Sequence, residues 1–310
     1  MANTGMNGHS VVCKADCPPK EINDRNCPFI FEDGEALQCV DTWAEEKFYY
    51  LENYLNATWR ARNKFTEWNN AVFLDLFAGP GKSIIRKEKR IINGGAFRAA
   101  NREKAAFNKI ILNDLSGSNC RALKKRIKSA EIYNDDANVI AERIVRDLKR
   151  ERFDKYHFVF LDPFAPSHLK FATLKKLSEL TRIDVMINFP IGGIRRNYKK
   201  WIGEEESILD DFLGTKEWRV EIQRTSKEHF AETILSIYIK QLESIGFPQE
   251  GMGLINEKRG NYYGPSMVSV KNSKSVVMYY LILASKNNLA AKIWTSILKI
   301  DAKGQRSLPF

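Results

Sequence analysis

The stretch AVFLDLFAGPGKS, residues 71–83, constrains this chain more than any other. Val72, Phe73, Leu74 and Leu76 form a short apolar run rich in strand formers, and Gly79, Pro80 and Gly81 stop it. Such a run reads as a strand buried on both faces, the central strand of a parallel sheet. Asp75 interrupts it near its carboxyl end. A lone carboxylate there is costly unless something hydrogen-bonds to it. The glycines beyond it let the backbone turn tightly and approach a ligand closely. In open α/β sheets, ligands bind in the crevice outside such strand ends.

Three ligands suit a turn of this kind. A nucleoside triphosphate calls for G-x-x-x-x-G-K-[ST]. Gly81-Lys82-Ser83 supplies the second half, but the first glycine falls on Leu76, so the phosphate cradle is incomplete. A dinucleotide calls for G-x-G-x-x-G, and here the third position is Ile84. S-adenosylmethionine carries a cationic amino acid end and no phosphate. An acid at the strand end can face its ammonium, and a short glycine turn makes room for its sulfonium and ribose. The third reading fits best. The plain alternative is a strand followed by a Gly-Pro turn.

The rest of the pattern predicts a doubly wound α/β fold. Lys109–Asn113, ending at Asp114, reads as a second strand. An acid at that position holds a ligand's ribose hydroxyls, or else caps the following helix. Glu131–Tyr133 reads as a third strand. Asp136 beyond it is a candidate for an adenine amino group, with an N-cap of the helix Val139–Arg152 as the equal alternative. Phe158–Leu161 and Ile183–Phe189 read as fourth and fifth strands, with Leu169–Leu180 helical between them. Tyr262–Lys271 and Ser275–Ala284 read as an antiparallel hairpin at the sheet edge. Upstream, Thr42 with Glu45 has the spacing of a capping box. Phe48, Leu51, Leu55 and Trp59 follow at helical spacing. Trp43 reads as core packing.

Lysine and arginine outnumber the acids 49 to 38, giving a net charge of +11 and a pI near 9.3. That balance favours an anionic partner, nucleic acid before a membrane surface. Arg195-Arg196-Asn197-Tyr198-Lys199-Lys200-Trp201 interleaves cations with aromatics just past the fifth strand. Arg195, Arg196 and Tyr198 are candidates for phosphate contact and base stacking, with an ordinary exposed helix as the alternative. The basic run around Cys120–Lys128 reads as a solvated helix face. No apolar stretch approaches a membrane span and no signal peptide is evident, so the expected location is cytoplasmic. Cys13, Cys17, Cys27 and Cys39 crowd the first forty residues without a C-x-x-C pair. Metal binding and inert free thiols are both readings of them.

The second strong signal is HFVFLDPFAPSH, residues 157–168. Asp162 offers an acceptor, Pro163 a rigid turn and Phe164 a flat face. That set can hold the hydrogens of an exocyclic amine so that its lone pair meets a methyl donor. A bare strand-end turn is the alternative. Trp43 with Lys47, LDLFAGPG, GGAFRA, LDPF, NFPIGGIRR and the terminal YYLILAS together resemble, in order, the three-Cys-motif partner (TcmP) family of bacterial proteins. The match spans roughly residues 41–300. The resemblance implies a Rossmann-like class I methyltransferase fold. It also implies cofactor contacts at Asp75, Phe77, Gly79, Gly81 and Asp114, and a protein partner with a three-cysteine motif encoded nearby. The D-P-F-A turn is also similar to the D-P-F-G turn of tRNA guanine-N2 methyltransferases. Here Ala165 replaces the glycine, and Phe164 stands where amino-methyltransferases have a second proline.

The sequence thus predicts an irregular arm over residues 1–40 and a methyltransferase-like domain over 41–310. Within that domain, a helical substrate-recognition excursion lies at about 196–256. The expected function is S-adenosylmethionine-dependent N-methylation of a nucleic-acid base or related nucleoside. The competing expectation is a non-catalytic binding or assembly partner of a neighbouring enzyme.

Overall fold

The computed structural model describes residues 26–66, 70–86, 88–104, 106–151, 155–248, 267–272 and 275–299. Its strands are β1 (Asn26–Ile30), β2 (Ala36–Val40), β3 (Ala71–Asp75), β4 (Lys82–Ile85), β5 (Arg90–Asn93) and β6 (Lys109–Asn113). They continue with β7 (Glu131–Tyr133), β8 (Tyr156–Leu161), β9 (Arg182–Phe189), β10 (Met267–Lys271) and β11 (Val277–Ser285). Seven form the main sheet, in the order β10-β11-β9-β8-β3-β6-β7. The five strands from β9 to β7 are parallel, and β11 runs antiparallel to both β9 and β10. The chain steps outward from β3 through β6 to β7, then returns to β8 on the other side. This is the doubly wound α/β arrangement with an antiparallel edge expected of a class I methyltransferase fold. The strand order reverses between β3 and β8, where such sheets place their ligands.

Both faces of the sheet are covered, and alternation along each strand decides which residue goes where. On β3, Val72 and Leu74 point into one core while Ala71 and Phe73 point into the other. On β8, Val159 and Leu161 join the first core, and Phe158 and Phe160 the second. Helices Ala137–Arg150, Phe171–Leu177, Ile191–Trp201, Ile208–Leu213 and Phe230–Ser244 close the first core. Helices Trp43–Ala57, Gly95–Ala100 and Asn288–Ile297 close the second. The stretch from 202 to 248 is therefore largely a packed layer. Phe212, Trp218, Ile234 and Tyr238 are buried with Phe189 of β9.

Two local expectations are corrected, and one alternative reading falls. Residues 26–40, expected to be irregular, supply β1 and β2, which join β4 and β5 in a second sheet of order β1-β2-β4-β5. The backbone partner that the arm's composition hides is β4, to which β2 pairs in parallel. The Gly81-Lys82-Ser83 stretch runs into that strand and not into a helix N-terminus, which removes the triphosphate reading. The capping box at Thr42 does not form. Thr42 is itself in the helical region with no side-chain cap, and Glu45 instead takes both guanidinium nitrogens of Arg90 at 2.6 Å. The expected antiparallel hairpin forms at the sheet edge from β10 and β11, with β11 adjoining β9, and residues 262–266 lie outside the described residues.

The basic helix Gly117–Arg126 is also more than a solvated face. The Arg126 side chain is only 3% exposed and holds Asp33 of the β1–β2 turn through two contacts, at 2.7 and 2.9 Å. It also donates to the Ala36 carbonyl at 2.8 Å and the Pro80 carbonyl at 2.6 Å. One guanidinium thus ties the small sheet to the glycine turn after β3. Removing one partner of such a cluster leaves the others desolvated. Arg126→Met is expected to lower the unfolding free energy in urea, followed by circular dichroism, by about 3 kcal/mol. A change well under 1 kcal/mol would contradict the role given to this residue.

Candidate functional site

The carboxyl ends of β7, β6, β3 and β8 lie side by side, and each carries an acid at its end or within three residues beyond it: Asp136, Asp114, Asp75 and Asp162. At about 4.8 Å per strand, four neighbouring ends span roughly 15 Å, the length of an extended nucleoside conjugate. Asp75 is 2% exposed, and its Oδ1 accepts the Phe77 amide at 2.9 Å. Burial pushes its carboxyl well above the ordinary range. The negative charges of Asp162 and Asp114 add to the rise, while the Phe77 amide and the Lys47 ammonium oppose it. A buried acid held this way gains by meeting a cation.

The turn after β3 is built for close approach. Gly79 and Gly81 have φ of +60° and +81°, which disfavours any side chain there. A Cβ on Gly79 would also lie 3.2 Å from the Gln38 side chain of β2, and one on Gly81 would lie 3.3 Å from Leu123. Asp114 is turned onto this loop. Its Oδ2 accepts the Gly79 amide, and its Oδ1 accepts the Ser116 amide and the Asn119 side chain, all at 2.9 Å. Asn113, buried beside it, donates to the Leu76 and Asp135 carbonyls at 3.1 and 3.0 Å. It thereby locks together the loops after β3 and β7. Asp136 caps a helix: its Oδ1 accepts the Asn138 amide at 2.8 Å at the start of helix Ala137–Arg150.

Asp162 is already held on both oxygens. Asn188, at the end of β9, donates to Oδ1 at 2.6 Å, and the Lys47 ammonium contacts Oδ2. Lys47 arrives from helix Trp43–Ala57. The first turn of that helix is fixed by Trp43, whose carbonyl accepts the Tyr279 hydroxyl at 3.0 Å and whose ring meets Tyr279 edge-on at 5.4 Å. Pro163 is buried, and Phe164 is 40% exposed. On the next helix, Ile191–Trp201, Arg195, Arg196, Lys199 and Lys200 are exposed. Tyr198 is not presented with them as a stacking platform. Its ring lies 4.4 Å from that of Phe230, because helical periodicity turns it toward the core.

Two side chains escaped the sequence reading. Leu115 is 72% exposed and follows Asp114 directly, and Val139 is 63% exposed at the start of the helix after β7. The signal for Leu115 was an apolar residue on a loop straight after a strand-end acid, which no periodicity test registers, while Val139 stands in the first turn of the helix that Asp136 caps. Both put apolar surface just beyond the strand ends that carry Asp114 and Asp136. The cysteine readings fall largely elsewhere. Cys13, Cys17 and the side chain of Cys27 lie outside the described residues. Cys39 accepts the Arg86 guanidinium at 3.4 Å. Among the described residues, no group of three or more His, Cys, Asp or Glu is placed to hold a metal, and no helix is long and apolar enough to cross a membrane.

Asp75 has a consequence for stability. Its folded carboxyl keeps a proton above the pH at which the unfolded one, near 4, releases it. The folded state then binds more protons, so this residue makes stability fall as pH rises through and beyond that range. Asp75→Asn is expected to gain melting temperature over the wild type as pH goes from about 4 to 8, with the two converging at lower pH. A difference independent of pH would sink this account.

No protein-family model and no curated protein matches the chain. Among solved structures it is similar to a Legionella pneumophila protein of the DUF519 family, at 10% identity and a TM-score of 0.37, over 55% of this chain and 75% of that one. It is similar to a DUF574 family protein from Streptomyces avermitilis, at 11% identity and 0.34, over 76% and 83%. It is also similar to the plantazolicin methyltransferase BamL, solved with a triazolic desmethylPZN analog and SAH, at 10% identity and 0.32, over 79% and 88%. Likenesses this distant assign neither ligand nor reaction.

Proposed function

We propose that this protein is an S-adenosylmethionine-dependent methyltransferase whose acceptor is a nitrogen of a nucleic-acid base. The observation that carries the reading is the row of strand-end acids beside a left-handed glycine turn at the point where the strand order reverses. The donor set fits the cofactor. Asp75 offers a buried carboxylate for a cationic amino acid end, Gly79 and Gly81 leave space beside it, and Asp114 offers oxygens for ribose hydroxyls. Leu115 and Val139 provide apolar faces for a purine, with Asp136 at its polar edge. The bound cofactor supplies an electrophilic methyl on a sulfonium, so the protein's part is position.

Asp162, Pro163 and Phe164 carry that part on the acceptor side. The Lys47 ammonium and Asn188 together fix the carboxylate's direction. Two of roughly four lone-pair sites on a carboxylate remain for the hydrogens of an incoming amine. Phe164 is the exposed ring on which a base can stack, the base being extruded first if it lies in a duplex. Arg195 and Arg196, with Lys199 and Lys200, meet the phosphates. The non-catalytic alternative draws on one observation: the Lys47 ammonium already sits on the acceptor carboxylate. In that reading the domain serves as an assembly partner for a three-cysteine protein.

Calorimetry with S-adenosylhomocysteine, followed by labelled methyl transfer to RNA and DNA, separates the readings. Asp162→Asn is expected to cut transfer about a hundredfold or more while leaving cofactor affinity within about threefold. Asp75→Asn is expected to weaken cofactor binding itself. Binding without transfer to either polymer removes the nucleic-acid acceptor, and absence of binding ends the methyltransferase reading and favours the assembly one. For the polymer, Arg195→Gln with Arg196→Gln is expected to reduce the slope of log affinity against log salt by about two. An unchanged slope removes this helix from the interface.

A further inference from the structure

The opposite edge of the main sheet, where β8 and β9 begin and β11 ends, holds a cavity of about 560 Å³. That volume lies in the range of small-molecule sites. Its floor is polar and fully engaged. Asp184 is buried, and its Oδ2 accepts the Tyr54 hydroxyl at 2.8 Å and the Tyr156 hydroxyl at 2.7 Å. The Ser285 hydroxyl donates to its Oδ1. Burial pushes this carboxyl upward, with the three hydroxyls holding it back, and burial pushes both tyrosines well above their ordinary value.

Cations surround this floor. Arg62 is 1% exposed and donates to the Leu55 carbonyl and the Thr58 hydroxyl, both at 3.1 Å. Lys286 donates to the Ser178 and Leu180 carbonyls. Arg182 lies over the Phe65 ring at 5.5 Å, and Phe65 stacks on Tyr156 at 5.8 Å. Three cations and one carboxylate thus line the cavity, while Phe65, Leu289 and Ile293 make the rest of the wall flat or apolar. A concave site with apolar walls and a few convergent polar groups is the form that small-ligand sites take. The excess of positive charge sets the sign of the ligand. Guanidinium groups suit planar oxyanions because their fork of donors matches two oxygens.

We propose that this cavity binds a small aromatic oxyanion, a flat ring bearing a carboxylate or a phosphate. Arg62, Arg182 and Lys286 supply the positive charge, and Phe65 and Ile293 the surface for the ring. The site lies at the other end of the strands from the methyl-transfer crevice and does not depend on that reading.

The test titrates the full chain with benzoate and with phenyl phosphate, using benzamidine as a control with the same ring and opposite charge. Binding is read by saturation-transfer NMR and calorimetry. At least one anion is expected to bind at millimolar or lower concentration, and the tighter of the two names the headgroup. Benzamidine is expected not to bind. Arg182→Gln and Lys286→Gln, both outside the buried Asp184 cluster, are each expected to weaken the anion by about tenfold with the circular dichroism spectrum unchanged. Saturating S-adenosylhomocysteine is expected to leave the anion in place. Failure of both anions to bind, equal binding of benzamidine, unchanged affinity in both variants, or displacement by S-adenosylhomocysteine would each overturn the proposal.

Discussion

A carboxylate buried at the end of a strand that is itself buried on both faces is the constraint around which this molecule is arranged. Asp75 cannot reach bulk water, and its one described hydrogen bond comes from the Phe77 amide two residues on. Burying an acid there costs free energy, and its surroundings decide how much. The Lys47 ammonium approaches from a distant helix and lowers the energy of the ionised form. The neighbouring strand ends bring two more acids, Asp114 and Asp162, which raise it again. The balance leaves a rim short of positive charge, the electrostatic complement of a cationic ligand.

The second sheet explains how a glycine turn with two left-handed residues keeps one shape. Glycine loses more chain entropy on ordering than any other residue, so such a loop needs outside support. Arg126 supplies it by binding the Pro80 carbonyl and the β1–β2 turn together, and the Gly94 amide adds a bond to the Gly81 carbonyl at 2.9 Å. Asp114 closes the loop from the other side through the Gly79 amide. The segment that looked like an arm is thus a wall of the crevice.

Legibility followed the range of the interactions. The parallel strands, their order of appearance and the acids at their ends were readable, because alternation and breakers are local signals. The pairing of β2 with β4 was not, since nothing in residues 26–40 marks a parallel partner more than forty residues away. Thr42 and Glu45 had the right spacing for a cap, yet the bidentate pull of Arg90 on Glu45 won. Tyr198 stood in a run of cations, and its place on the helix turned it onto Phe230.

By itself, the sequence determined that a doubly wound sheet forms and that acids stand at the ends of its neighbouring strands. Period-two burial and glycine punctuation are properties of a few consecutive residues. Only the tertiary structure decided what the distant acids touch: Asp162 held by Lys47 and Asn188, and Asp184 gathered with three hydroxyls at the far edge. Those outcomes depend on side chains from helices and strands tens to more than a hundred residues apart, and no local periodicity encodes where such side chains meet.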